Sequence, residues 1–214
     1  MSVTKLEIDT PFGPANAHLQ SADEPRAALV LGHGAGGGVT ARDIVAATRA
    51  AHSAGLSVAL VEQPYRVAGR RSPAPAHQLD AAWTAVIDHL LAGELSGLPV
   101  IAGGRSSGAR VACRTAEATG AAGVLCLAFP LRPPRRFGAA PAPSRLPELD
   151  AVTVPTLVVQ GLRDQFGMPS STERRTVVQV AGDHSLRSDL GAIENAVRAW
   201  LLRVMVESQA DQTS

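Results

Sequence analysis

The chain has 214 residues, of which 45% are hydrophobic and 18% charged, and its formal net charge is +1 at pH 7. This length fits one domain, and the balance of side chains excludes a generally disordered chain. The small net charge excludes a global field that would attract nucleic acid or an acidic membrane, and 3% aromatic residues leave no stacking platform for bases.

The cysteines and the N-terminal residues bear on where the protein works. Cys113 and Cys126 lie in apolar runs without a CxxC pair, so we expect buried, reduced thiols. Residues 1–9 are charged and lack the apolar region of a signal peptide, and no run is long enough for a membrane span. We therefore expect a cytoplasmic protein with no membrane or nucleic acid partner and no cofactor. The oligomeric state stays open, with a homodimer among the options.

The hydrophobic pattern alternates between short apolar runs and longer amphipathic segments. Residues 5–9 and 15–20 flank a Pro-Phe-Gly-Pro turn and predict an antiparallel pair of strands. Further strands are predicted at 27–32, 57–61, 98–102, 123–128, 155–160 and 176–180, and helices at 41–54, 77–92, 107–118 and 190–206. Residues 63–76 and 129–149 are predicted to be proline-rich loops.

This alternation predicts an α/β fold, with a mostly parallel central sheet and helices on both faces. We expect one domain over residues 1–206 and a frayed polar tail at 207–214. Because reactive groups in such sheets gather at the carboxyl ends of the strands, these ends are where candidate residues should lie.

The first candidate is Ser106, in a G-x-S-x-G pattern at residues 104–108 between a predicted strand and a predicted helix. In so tight a turn, Gly104 and Gly108 remove side chains that would strike the neighbouring strand and helix. The helix N-terminus supplies N–H groups and a positive dipole end for a developing oxyanion. The sequence thus predicts that Ser106 is a nucleophile; a simple glycine-rich turn capped by Ser106 is the alternative.

A second glycine-rich segment, HGAGGG at residues 33–38, follows the predicted strand 27–32. We predict that the backbone N–H groups of Ala35 and Ser107 form an oxyanion hole, which often makes the largest single contribution to catalysis. A phosphate-binding loop is the competing interpretation. It is disfavoured because no G-x-x-x-x-G-K-[ST] pattern exists and Lys5 is the only lysine. His33 is expected to anchor this loop.

A serine needs a base, and the base needs an acid that orients it. His184 is the only histidine after Ser106, and it lies between the last predicted strand and the last predicted helix. Asp164 follows the strand 155–160 and is the predicted acid. Asp183 is the rival, but a sequence neighbour of the base rarely reaches its far ring nitrogen. Asp150 precedes a strand and lies at the wrong end of the sheet.

Four segments occur in a fixed order over residues 27–202: HGAGG, GGRSSG, QG-x-R-D-x-F-G and GDHS. Together they resemble the small capless α/β-hydrolases related to the testis-expressed protein and the chromatin-complex subunit that share this domain, and more loosely the dienelactone hydrolases. The resemblance implies an α/β-hydrolase fold without a separate lid domain. It also implies a triad of Ser106, Asp164 and His184. Dienelactone hydrolases use a cysteine nucleophile, where this chain has Ser106.

Substrate contacts are less well defined by the sequence. Candidates are Gly34, Gly36, Arg105, Tyr65 and Phe166. Core packing is the alternative role for Tyr65 and Phe166. For Arg105, packing is the expected role, and pairing with a neighbouring loop is a further alternative. The two proline-rich loops carry six arginines that would favour an acidic substrate if they converged, or would otherwise be solvated: Arg66, Arg70, Arg71, Arg132, Arg135 and Arg136.

These residues predict a serine hydrolase that cleaves an ester, thioester or activated amide of a small-molecule substrate. Without a lid domain, short acyl chains are the expected substrates. Two alternatives stay open. One is a peptidase or acyltransferase that uses the same groups. The other is a non-catalytic interaction domain with the same fold, although such a domain would have no physical need for the whole set of catalytic groups.

Overall fold

The computed structural model describes residues 2–133 and 143–212, with side chains as far as residue 206. Its strands, numbered in chain order, are β1 (Thr4–Ile8), β2 (Ala15–Gln20), β3 (Ala28–Gly32), β4 (Ser57–Glu62), β5 (Val100–Arg105), β6 (Gly123–Leu127), β7 (Thr156–Gly161) and β8 (Arg175–Val180). Its helices are α1 (Arg42–Ser53), α2 (Pro64–Val67), α3 (Ala76–Ala92), α4 (Ser107–Thr115), α5 (Leu146–Asp150) and α6 (Leu190–Gln212).

The eight described strands form one sheet in the order β1-β2-β4-β3-β5-β6-β7-β8. β1 and β2 pair antiparallel, as the turn between them predicts, and β2 pairs antiparallel with β4. All the remaining pairs are parallel. The predicted α/β class and the mostly parallel sheet are therefore confirmed, and the carboxyl ends of β3, β5, β7 and β8 lie along one edge.

Helices cover both faces of the sheet, which explains why every residue of β3, β6 and β7 is buried. On one face α3 and α4 contribute Trp83 and Val111 to a core with Val30. On the other face α1 and α6 contribute Ile44 and Trp200 to a core with Leu31. Successive residues of a strand point to opposite faces, so Val30 and Leu31 each bury their side chains under a different helix layer. Cys113 and Cys126 are buried and free, as predicted.

The structure departs from the predicted elements at several places. β5 runs on to Arg105, past the predicted end at residue 102, because glycines fit where the neighbouring strands lie close. A Cβ on Gly103 would stand 2.7 Å from the carbonyl oxygen of Leu125. The predicted loop 63–76 contains the short helix α2. Its first residue is Pro64, whose preset φ suits that position and whose missing N–H costs nothing there.

Two further differences lie in the C-terminal half. The predicted loop 129–149 contains the start of α5, and its residues 134–142 lie outside the described residues. Helix α6 extends to Gln212, so the backbone of the predicted frayed tail is helical for six residues beyond 206. None of the described helices is long and apolar enough to span a bilayer.

Candidate active site

Ser106 lies at the junction of β5 and α4, in a sharp turn that we call the elbow (residues 104–108). Its backbone has φ 51° and ψ −103°, a region that residues with a side chain rarely occupy. The Ser106 N–H donates a hydrogen bond of 2.9 Å to the carbonyl oxygen of Leu127 in β6. The fold therefore maintains a strained conformation that places this side chain at the carboxyl end of the sheet.

Close backbone contacts hold the elbow in place. A Cβ on Gly104 would stand 2.6 Å from the carbonyl carbon of Gly108. One on Gly108 would stand 2.5 Å from the carbonyl oxygen of Gly32 at the end of β3. These neighbours are backbone atoms that cannot turn away, so both positions require glycine, as the sequence pattern predicts.

The loops after β7 and β8 bring two more side chains to Ser106. His184 Nε2 lies 3.0 Å from Ser106 Oγ, and His184 Nδ1 lies 2.8 Å from Asp164 Oδ2. The imidazole thus contacts a hydroxyl through one nitrogen and a carboxylate through the other. Its partner Asp164 has a side chain that is 0% exposed. The three residues predicted to act together are brought into hydrogen-bonding contact, although they are up to 78 positions apart in sequence.

Comparison with protein families shows which family the chain belongs to. A family model described as an alpha/beta hydrolase domain matches residues 25–195, most of the chain. The chain belongs to the alpha/beta hydrolase domain family. A search of curated proteins found no match.

Solved structures show which versions of the fold are similar. XC6422 from Xanthomonas campestris, described as an a/b serine hydrolase without lid, is 19% identical, with a TM-score of 0.72 over 95% of each chain. Est1E from Butyrivibrio proteoclasticus is 18% identical, with a TM-score of 0.76 over 94% of this chain and 99% of that one. A dienelactone hydrolase from Anabaena variabilis is 15% identical, with a TM-score of 0.72 over 94% and 97%. At these identities the likeness concerns the fold: the expected α/β-hydrolase fold is confirmed, and the described residues form no separate lid domain.

The surroundings of Asp164 orient its carboxylate. Gln160 Nε2 donates a hydrogen bond of 2.8 Å to Asp164 Oδ2, and the Phe166 N–H donates one of 2.9 Å to Oδ1. Gln160 is wholly buried in β7 and was not predicted to be a site residue. Its only signal in the sequence is a polar side chain at the end of an apolar strand, four positions before Asp164.

The rival acid Asp183 lies elsewhere. Its Oδ1 accepts hydrogen bonds from the backbone N–H and the hydroxyl of Ser185, at 2.9 and 2.6 Å, and these bonds lower the pKa of its carboxyl. It therefore shapes the turn that carries His184.

Phe166 lies edge-on to the imidazole of His184, with ring centroids 4.4 Å apart, and this contact restricts the orientation of the ring.

The glycine loop (residues 33–38) lies beside the elbow. A Cβ on Gly34 would stand 3.7 Å from the Cβ of Ser106, so the backbone of this loop borders the serine side chain. His33 is buried, and its Nδ1 contacts the Gly34 carbonyl oxygen at 2.9 Å. His33 Nε2 accepts the Gln63 N–H at 3.2 Å, which leaves the proton on Nδ1. His33 therefore anchors the loop, as expected.

Tyr65 also contacts the glycine loop. Its hydroxyl donates a hydrogen bond of 3.1 Å to the carbonyl oxygen of Ala35, and its ring lies edge-on to His33. Burial raises the pKa of Tyr65. With 5% of its surface exposed, Tyr65 has the packing role that was the alternative to substrate contact.

Arg105 ties three parts of the site together. Its Nε lies 3.0 Å from Oδ2 of the buried Asp43 at the start of α1, and its Nη2 donates a hydrogen bond of 3.0 Å to the His184 carbonyl oxygen. Burial raises the pKa of the Asp43 carboxyl, while the charge of Arg105 acts in the opposite direction. Pairing, one of the roles that the sequence left open for Arg105, is thus present, and it joins the elbow to the loop that carries His184.

A cleft of about 570 Å³ opens next to these groups. It is lined by Gly36, Gly37, Thr40, Ala41, Arg42, Asp43, Arg105, Ser185 and Arg187. The arginines of the two proline-rich segments that are described (66, 70, 71 and 132) do not line it, and Arg135 and Arg136 lie outside the described residues. The sequence did not predict Arg42 and Arg187 here. Within the described side chains, no group of three or more His, Cys, Asp or Glu residues could hold a metal ion.

Proposed function

We propose that this protein is a serine hydrolase that cleaves an ester, thioester or activated amide of a small molecule, with Ser106 as nucleophile. The observation that carries the proposal is the position of His184, which hydrogen-bonds Ser106 at one nitrogen and the buried Asp164 at the other. A serine hydroxyl is a weak nucleophile unless a base takes its proton, and an imidazole oriented in this way supplies that base.

In the proposed reaction, Ser106 Oγ attacks the substrate carbonyl carbon while its proton passes to His184 Nε2. The carbonyl oxygen becomes an oxyanion, which the backbone N–H groups of Ala35 and Ser107 stabilise. When the C–O, C–S or C–N bond breaks, His184 returns the proton to the leaving group, and the acyl group stays on Ser106. Water then attacks the acyl-enzyme with His184 again as base, and the acid and free Ser106 are released.

Asp164 stabilises the imidazolium that forms in each step. Because Gln160 and the Phe166 N–H hold its two oxygens, the carboxylate stays aligned with His184 Nδ1. This alignment fixes the tautomer in which His184 Nε2 accepts the serine proton. A non-catalytic domain of the same fold would not need this set of contacts, which favours the hydrolase over that alternative.

Labelling with a biotinylated fluorophosphonate tests the proposal directly. The folded protein should react, and Ser106→Ala should abolish the reaction without changing the circular dichroism spectrum. Ser96→Ala, an exposed serine before β5 at the opposite edge of the sheet, should label like the unaltered protein. Absence of labelling in the folded, unaltered protein would reject the hydrolase and leave the interaction domain.

The choice of acid can be tested with 4-nitrophenyl acetate. Asp164→Asn should lower kcat by about 10⁴-fold, because an amide donor facing His184 Nδ1 favours the wrong tautomer. Asp183→Asn is the matched control, since it removes the same charge one position from the histidine and should leave kcat unchanged. A larger loss from Asp183→Asn than from Asp164→Asn would reverse the assignment.

A further inference from the structure

The cleft next to the triad, which we call the arginine cleft, has an unusual balance of charge. Among the described residues, three arginines line it, Arg42, Arg105 and Arg187, but only one carboxylate, that of Asp43. The chain as a whole has a net charge of only +1, so this excess is local. A concave surface lined by one sign of charge concentrates the field and attracts ions of the opposite sign.

The three arginines differ in what neutralises them. Arg105 is ion-paired with Asp43, whose side chain is 1% exposed, so one positive and one negative charge cancel at the floor of the cleft. Arg42 and Arg187 are exposed, and among the described residues neither guanidinium has a hydrogen bond or an ion pair. Two positive charges of the cleft therefore have no paired counter-charge among the described residues.

Some arginines of the described structure are bound to carboxylates and join elements of the fold. Arg114 pairs with Asp80 and Glu148, and Arg110 pairs with Glu148 through two nitrogens. These pairs join α4 to α3 and α5. Exposed arginines without such a partner also occur elsewhere, as at Arg49, so Arg42 and Arg187 are distinguished by their place in a concave site next to candidate catalytic residues.

The backbone at the rim adds to the same effect. Helix α1 has twelve residues and begins inside the cleft at Arg42, with no side chain capping its N-terminus. Its dipole places partial positive charge there, although Asp43 in the first turn offsets part of it. The dipole alone would not define a site, but here it acts together with two unpaired guanidinium groups.

We propose that the arginine cleft binds an anionic group, a carboxylate or a phosphate, of the substrate that is cleaved at Ser106. The cleft is suitably placed, because Ser185 in its wall follows His184 and Arg105 in its floor precedes Ser106. The guanidinium fork binds either anion through two parallel N–H donors. The substrate is then an ester, thioester or amide that carries a second acidic group; this inference rests on the proposed function.

Two matched esters test the inference: the 4-nitrophenyl monoester of adipic acid and the same compound with its free carboxyl methylated. After subtraction of the uncatalysed rate, the charged ester should be preferred by about tenfold in kcat/KM, the ratio that 1.4 kcal/mol of charge-assisted binding would supply. The preference should shrink as NaCl is raised, because salt screens exposed charges.

The variants Arg42→Gln and Arg187→Gln should each lower this preference severalfold. Neither should change kcat/KM for the neutral ester. Arg49→Gln is the matched control: it removes an exposed arginine from the same helix α1 but outside the cleft, and it should retain the preference. Equal kcat/KM values for the two esters in the unaltered protein would overturn the inference, as would equal effects of the Arg49 and Arg187 substitutions.

The chemistry of the anion is tested separately by inhibition of neutral-ester hydrolysis with inorganic phosphate and with succinate. Stronger competition by phosphate assigns a phosphorylated substrate, and stronger competition by succinate assigns a dicarboxylic one. Competition by neither would overturn the inference. Failure of the inference is distinguishable from failure of the proposed function, because a hydrolase without an anion site still labels at Ser106 and hydrolyses the neutral ester.

Discussion

Two glycine-rich loops meet at Ser106, and they use glycine for different reasons. In the elbow, a Cβ on Gly104 or Gly108 would strike backbone atoms at 2.5–2.6 Å. In the glycine loop, a Cβ on Gly36, Gly37 or Gly38 would meet no atom within 4 Å, and none of the three has a positive φ. Glycine is therefore obligatory for packing in the elbow, whereas at positions 36–38 of the glycine loop no close contact requires it.

The two loops also differ in what holds them. The elbow is held by contact between β3, β5 and α4, in which backbone meets backbone. The glycine loop is held by hydrogen bonds, from His33 to Gly34 and from Tyr65 to Ala35. Contacts between backbone atoms do not depend on pH, and no single side-chain substitution removes them. The hydrogen bonds of the glycine loop can be weakened by protonation or removed by one substitution. Three experiments would break or sharpen this contrast.

The largest effect is expected from Gly108→Ala. The new Cβ would lie 2.5–2.9 Å from three backbone atoms of Gly32 and His33, so β3 and α4 would have to separate. We expect a loss of more than about 3 kcal/mol in the free energy of unfolding, at the upper end of what overpacking costs. The corresponding fall in Tm is about 6–12 °C, measured by circular dichroism.

Gly37→Ala is the control for that experiment, because it adds the same methyl group to the other loop. Its free energy of unfolding should stay within about 0.5 kcal/mol of the unaltered protein, as for other substitutions in open space. If the two variants lost similar stability, the distinction between the loops would be wrong.

An intermediate effect is expected from pH. Burial lowers the pKa of His33 below 6.5, although its hydrogen bond to Gly34 acts in the opposite direction. Below pH 6.5 His33 is protonated in the unfolded chain, whereas in the folded protein it takes up a proton only at lower pH. The contribution of His33 is thus complete at neutral pH and is lost as the pH falls, at no more than about 1.4 kcal/mol per pH unit.

The measurement compares urea unfolding between pH 7.5 and 5.5 for the unaltered protein and His33→Asn. The variant is needed because other groups also titrate. Burial raises the pKa of the Asp43 carboxyl, so protonation of Asp43 changes stability in the opposite sense over acidic pH. The variant should lose less stability on acidification. Identical pH dependence would show that protonation of His33 does not weaken the glycine loop.

The smallest effect is expected from Tyr65→Phe, which removes the 3.1 Å hydrogen bond to Ala35 and keeps the ring. One hydrogen bond is worth about 1 kcal/mol of stability. The fluorophosphonate should also react more slowly, since Ala35 belongs to the proposed oxyanion hole. Unchanged stability and an unchanged labelling rate would mean that Tyr65 does not hold the loop.

The sequence alone predicted the parts of the site that depend on strand order. A parallel sheet brings the carboxyl ends of its strands to one edge, so residues that directly follow apolar runs are expected there. Ser106, Asp164 and His184 satisfy this rule. In the structure the ring nitrogens of His184 lie 3.0 Å from Ser106 Oγ and 2.8 Å from Asp164 Oδ2. Element boundaries were less predictable, as at β5, where glycines continue a strand.

Tertiary structure decided what no local pattern contains. The two glycine runs look alike in sequence, and only the approach of Gly32 to Gly108, some 76 positions away, makes one of them sterically obligatory. Likewise, Arg42 and Arg187 stand in unremarkable contexts, and Gln160 looks like an ordinary strand residue. Their positions at the site arise because separate crossovers return to the same edge of the sheet. Contacts of that kind depend on the whole fold, whereas the periodicity of strands and helices is written into each segment.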